Sequence, residues 1–232
     1  MRRWACPRGG SQALLLILAA LWLAPAFAQD APIVLPKGAT IVAQGDSLTY
    51  GQDTSPDGHS DPINGAPERR SISPYPETLE ADLGHEVRVE NRSYPGDRTG
   101  DGLARWIGRP SGDLVILLYG TNDCANFGHR PGGPISLDAY RQNLRALIAR
   151  NKGAGAKILL VTPPSLANLD LDRRLEFYRA AMRQVARETE TPVVDGPEAL
   201  KDVPHPWIDG VHLSPEGYRA LARHIAARIL VR

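Results

Sequence analysis

Cysteine is scarce in this sequence, with 2 in 232 residues, at positions 6 and 124. A fold stapled by disulfides is therefore excluded. An excess of one charge sign is also missing: 27 Lys and Arg face 26 Asp and Glu, a formal charge of +1. No basic block stands out, so nothing points to nucleic acid or to an anionic membrane surface. The apolar run over 13–24 has only 12 residues. As a helix it would rise about 18 Å, short of the ~30 Å hydrocarbon core, so a retained membrane anchor is not expected. Neither a G-x-G-x-x-G nor a P-loop pattern follows the first strand, which argues against a nucleotide-binding α/β protein. A G-x-S-x-G elbow is lacking too, which disfavours the larger α/β-hydrolase fold. His59, His85, His129, His205 and His224 show no metal-ligand spacing and read as solvated surface.

What is present begins with a leader. Arg2, Arg3 and Arg8 precede the apolar run, and Ala26-Phe27-Ala28 follows it. This is the order of a secretory signal, cleaved after residue 28, so residues 29–232 form one domain that is secreted or periplasmic. The leader carries three arginines and no acid, which leaves 24 basic and 26 acidic side chains behind it. Cys6 departs with it, and the lone Cys124 reads as an incidental thiol, without a base paired to it in sequence.

Short apolar runs alternate with helical stripes along the rest. Strands are expected at 39–43, 86–91, 113–119, 157–161 and 192–194, the third an unbroken apolar run of the central-strand kind. Helical stripes comprise Tyr140, Leu144, Leu147 and Ile148, then Leu175, Tyr178, Met182 and Val185, then Tyr218, Leu221, Ile225 and Ile229. Ser136 or Asp138 would cap the first of these and Gly153 stop it. Strand–helix alternation at this spacing means a three-layer α/β domain with a parallel sheet.

Ligands of such sheets bind at the carboxyl ends of the strands, and four polar clusters fall there. They are 45–49 (GDSLT), 91–96 (NRSYPG), 120–123 (GTND) and 209–212 (DGVH). Acyl transfer needs a hydroxyl nucleophile, a base to take its proton and a group to orient the base. Ser47, His212 and Asp209 fit those roles, and an offset of three in one tight loop lets the carboxylate reach the imidazole. An oxyanion needs preorganised donors, and the N–H of Ser47, the N–H of Gly96 and the side-chain amide of Asn122 could supply three.

GDSLT, a mid-chain glycine, GTND and a terminal D-x-x-H, in that order, resemble the GDSL (SGNH) hydrolase superfamily over residues 41–213. Its four eponymous letters fall on Ser47, Gly96, Asn122 and His212. The resemblance implies a flavodoxin-like sheet of about five parallel strands, metal-independent ester hydrolysis and no tightly bound cofactor. It also implies a range of outcomes: lysophospholipase, thioesterase or arylesterase activity, or acyl transfer to a sugar hydroxyl instead of water.

Residues 51–73 break the strand–helix rhythm. The stretch holds Pro56, Pro62 and Pro67 with few aliphatic side chains, and it starts four residues after Ser47. A loop of that length in a compact domain is functional or disordered. Its Asp53, Asp57, Asp61, Arg69 and Arg70 favour a short acyl group on a polar or carbohydrate ester, with the arginines available to an anionic substrate. The run from Asp53 to Asn64 also looks like the start of a calcium loop, but Pro56 and the lack of a Glu at its twelfth position favour an ordinary loop.

Overall fold

The computed structural model of the protein describes residue 1, residues 31–109 and residues 111–232. Apart from Met1, the expected leader lies outside the described residues.

The centre is a parallel sheet of five strands. Strand β2 (Thr40–Gly45) pairs with β3 (Arg88–Ser93) on one side and with β4 (Leu114–Leu118) on the other. Strands β5 (Lys157–Val161) and β6 (Val193–Val194) continue from β4, so the order is β3-β2-β4-β5-β6. The reversal of strand order lies beside β2, where the first polar cluster begins. Every residue of β4 is buried, as its LVILL sequence requires. Its side chains alternate in direction: Leu114, Ile116 and Leu118 join the core on one face, Val115 and Leu117 the core on the other.

Helices cover both faces. On the first lie α2 (Tyr75–Asp82) and α8 (Pro215–Ala226), contributing Leu79, Tyr218, Leu221 and Ile225 to that core. On the second lie α5 (Leu137–Gly153) and α6 (Leu169–Glu188), contributing Tyr140, Leu144, Leu147, Met182 and Val185. Each such side chain stabilises the fold by roughly 1.5–3 kcal/mol on burial. Leu144→Ala, at 0% exposure, would therefore cost about 2–5 kcal/mol. Short helices α1 (Ser47–Tyr50), α3 (Thr99–Arg105), α4 (Thr121–Ala125) and α7 (Gly196–Leu200) sit after strand ends. This is the three-layer α/β arrangement read from the sequence.

Some expectations need correction. The third helical stripe stops early: α8 ends at Ala226, and Ile229 opens β7 (Ile229–Val231), which pairs in parallel with β1 (Ile33–Leu35). A buried isoleucine on the extrapolated stripe has the same period whether or not the helix continues. Helix α5 runs through Gly153 and is capped at Ala154; Ser136, not Asp138, caps its start by accepting the Ala139 N–H at 3.2 Å. Helix α2 is not among the expected helices; it starts between Pro74 and Pro76, since proline is tolerated in a first helical turn.

The segment 51–73 is ordered around Arg70. Arg70 and His59 exchange backbone hydrogen bonds of 2.7 and 2.8 Å, and the Ser71 N–H closes onto Gly51 O at 2.7 Å. Arg70 is only 4% exposed; its guanidinium donates to Tyr50 O at 2.8 Å and pairs with Asp61 and Glu77. Arg70 is thus an internal clamp and not a group offered to substrate.

Candidate active site

The nucleophile candidate sits where β2 turns into α1. Only glycine fits at 45, because a Cβ there would lie 2.0 Å from Thr49 Oγ1 and 2.6 Å from Leu118 O. The chain can therefore turn tightly against β4. Asp46 caps the helix, its Oδ1 accepting the Leu48 N–H at 2.9 Å. Ser47 takes the first helical position, and Gly51, in the left-handed region at φ +81°, ends the single turn. Residues 41–51 are all buried.

Asp209 and His212 come from the loop before α8. Asp209 Oδ1 accepts the Val211 N–H at 2.9 Å and the His212 N–H at 2.7 Å, while Oδ2 lies 2.6 Å from His212 Nδ1. With Nδ1–H donating, the other ring nitrogen, Nε2, is left as an acceptor. Burial alone would raise the Asp209 pKa. The hydrogen bond and charge of His212, with the two N–H groups, win and hold it well below the usual carboxylate range. The side chain keeps 31% of its surface exposed.

Gly96 lies in the left-handed region at φ +79°, and a Cβ on it would approach Gly128 Cα to 3.1 Å. The pair packs backbone against backbone, since a Cβ on Gly128 would stand 2.8 Å from Gly96 O. Asn122, on α4, is 2% exposed and donates from Nδ2 to Asp97 O at 3.3 Å. Among the described residues neither the Ser47 N–H nor the Gly96 N–H has an acceptor.

All five residues, Ser47, Gly96, Asn122, Asp209 and His212, line one cavity of about 520 Å³. Gln52, Glu68, Tyr94, Phe127 and Arg130 line it as well. No hydrogen bond joins Ser47 Oγ to His212, although both line this cavity; contacts of this kind are commonly looser in free enzymes.

Behind the cavity lies a buried acidic floor. Burial, with repulsion from Asp123 and Asp97, pushes Asp46 up to about 7 against the Leu48 N–H and the Asn122 amide. Burial raises Asp123 to about 7 as well, although Thr99 donates to it from both N and Oγ1. Asp97, at 0% exposure, is met by Arg105 at 2.7 Å through both oxygens and by Arg130 at 3.3 Å. The Arg105 guanidinium stacks 3.8 Å from the centre of the Tyr94 ring.

Other sequence candidates lie elsewhere. Cys124 packs with Leu166, Leu171 and Leu175, and burial pushes its thiol up, away from the reactive thiolate. In the calcium-like stretch, Asp53 Oδ1 accepts the Ser55 N–H at 2.8 Å and its hydroxyl at 2.6 Å. Asn64, at the twelfth position, turns donor, its Nδ2 bonding Asn91 O and Ser93 O at 3.0 Å. Among the described residues no cluster of three or more His, Cys, Asp or Glu is grouped to hold a metal. Arg69 is exposed and donates to Pro56 O. Sequence reasoning missed Gly128, Glu68 and Arg130, which sit in irregular loops with no period to mark them, and Thr54, whose hydroxyl donates to Asp209 Oδ2 at 2.8 Å.

Residues 43–220 match the model of the GDSL-like Lipase/Acylhydrolase family. The chain is 29% identical over 157 residues to an arylesterase of Vibrio mimicus, covering 63% of this chain and 72% of that one. It is similar to the lipase/acylhydrolase of Enterococcus faecalis at TM-score 0.62 and 27% identity, over 81% of this chain and 93% of that one. An acetylxylan esterase from Geobacillus stearothermophilus superposes at TM-score 0.65 and 25% identity, over 85% and 98% of the two chains. A sheet that delivers its polar clusters to one end, and a family match that runs from β2 into α8, lead to one conclusion: the chain belongs to the GDSL-like lipase/acylhydrolase family and is a carboxylic ester hydrolase.

Proposed function

We propose that this hydrolase is an exported serine esterase that uses Ser47, His212 and Asp209 as a triad on short acyl, chiefly acetyl, esters of a polar or carbohydrate alcohol. One observation carries the reading: five residues, drawn from the ends of three strands and from the loop before α8 and separated by up to 165 positions, meet on one cavity, with His212 Nδ1 held 2.6 Å from Asp209. Ser47 Oγ attacks the ester carbonyl carbon as His212 Nε2 takes its proton. The oxyanion is met by the N–H groups of Ser47 and Gly96 and by the Asn122 amide. Collapse breaks the bond to the alcohol, which leaves with the proton from His212. Water then repeats the sequence on the acyl-serine, and Asp209 stabilises the imidazolium in both halves.

The polar alcohol is supported by the wall of the cavity, where Gln52, Glu68 and Arg130 interrupt the apolar Pro95, Phe127 and Val211. The likeness to an acetylxylan esterase points the same way. The Glu68 carboxylate opposes anionic esters, a uronate or lysophospholipid included. Export rests on the basic and apolar leader ahead of Ala28. Among the described residues no helix is long and apolar enough to cross a membrane.

The test pairs Ser47→Ala with a series of nitrophenyl esters of rising chain length. Ser47→Ala should lower kcat by roughly 10³-fold or more with the fold intact. The native chain should be fastest on the acetate; a steady rise toward long acyl chains would overturn the short-acyl reading. N-terminal sequencing of the exported protein should begin at Gln29.

A further inference from the structure

We infer that Thr54 is a positioning residue for Asp209, and that the loop 51–73 reaches the chemistry through it. The inference rests on the triad proposed above. Asp209 receives donors on both oxygens: Oδ1 has the N–H groups of Val211 and His212, and Oδ2 has His212 Nδ1. All three come from the carboxylate's own loop. The fourth is the Thr54 hydroxyl, 2.8 Å from Oδ2 and 155 positions away in sequence. A carboxylate offers about four acceptor sites, so these donors saturate it.

Thr54 itself is exposed, and its neighbours are what hold it. Gln52 O accepts the Tyr218 hydroxyl at 3.0 Å, which ties the loop to α8. The Asp53 N–H donates to Arg69 O at 2.9 Å, and the Asp53 carboxylate takes both donors of Ser55. Anchors thus stand on both sides of Thr54, and the Arg70 clamp closes the base of the loop.

Two consequences follow from a hydroxyl on Oδ2. It stops the carboxylate from rotating away from the imidazole, because both oxygens are then fixed. It also draws negative charge from the oxygen that faces His212, which tempers that oxygen's hold on the ring. Glu68 and Arg130 share the cavity wall with this pair, and Asp46 and Asp53 act with Asp209 on the Tyr218 hydroxyl that anchors the loop. Thr54→Val keeps the side-chain shape, removes only the hydroxyl and leaves all of those charges in place.

The experiment measures kcat and KM across pH on a small acetate ester for the native chain, Thr54→Val, Thr54→Ser, Asp209→Asn and the Thr54→Val/Asp209→Asn pair. Thr54→Val should lower kcat about three- to tenfold with little change in KM, and the acid limb of kcat should move to higher pH. Thr54→Ser, which keeps the donor, should restore most of the loss. In the Asp209→Asn background Thr54→Val should cost almost nothing more, because the two act as one unit. An unchanged pH profile in Thr54→Val, equal losses in Thr54→Val and Thr54→Ser, or a full additional loss in the Asp209→Asn background would overturn the inference. Full activity in Asp209→Asn would instead overturn the triad, and Thr54 would fall with it.

Discussion

Asp46 and Asp209 are carboxylates of one site, and their surroundings push them in opposite directions. Asp46 is fully buried beside Ser47, with one oxygen unpartnered, and is raised to about 7. Asp209 stands partly in solvent with every donor it can take, and is held below the usual carboxylate range. Desolvation decides the first and hydrogen bonding to the charged form decides the second. The difference teaches which of the two suits the proposed triad: a carboxylate that serves an imidazolium must stay ionised, and of these two only Asp209 is held in that state. Asp46 serves the architecture, capping the turn that carries Ser47.

The largest effects should come from the exposed side of this pair. His212→Ala should lower kcat by roughly 10³-fold or more, and Asp209→Asn by less, about 10²- to 10³-fold, since orientation is easier to replace than proton transfer. An Asp209→Asn loss as deep as that of His212→Ala would mean Asp209 does more than orient. Asn122→Ala should follow, with kcat down about 10²-fold and KM nearly unchanged. A change confined to KM would instead make Asn122 a residue that binds the ground state.

Asp46 should act mainly on stability. Its folded pKa lies above the ordinary value of 3.8, so between those two pH values the folded chain holds a proton that the unfolded chain has released. Stability tied to that proton is complete below about 4 and is lost as pH rises through about 7, and Asp123 adds to the same trend. Asp46→Asn should therefore flatten the fall of the thermal midpoint between pH 4 and pH 7, read by calorimetry. An unchanged slope would break the comparison from the buried side. The smallest effect belongs to Glu68→Gln, which should speed cleavage of an anionic ester several-fold and leave a neutral acetate unaffected. Equal effects on both esters would show that Glu68 is not sensing substrate charge.

Much of this arrangement was legible beforehand because it is local. The unbroken LVILL run marks a strand buried on both faces, and D-G-V-H places acid and base on one turn whatever the rest of the chain does. Position relative to strand ends then singled out Ser47, Gly96 and Asn122. Arg70 illustrates the opposite case. Its charge on a polar loop suggested a ligand for substrate, yet Tyr50 O, Asp61 and Glu77 hold it at 4% exposure. A side chain's charge is written in the sequence, but the partners that consume it are not. Thr54 and Gly128 escaped for the same reason, since each matters only through an atom far away along the chain.

The sequence by itself determined the alternation of strands and helices, the parallel sheet and the polar clusters at its carboxyl end, because hydrophobic period and short-range turn chemistry operate within a few residues. Only the tertiary structure decided how the loop 51–73 packs, which of two carboxylates, one buried and one partly exposed, stays ionised, and that β1 and β7 pair. Those outcomes depend on desolvation and on hydrogen bonds between residues as much as 197 positions apart, such as Leu35 and Arg232, and no local pattern encodes such distances.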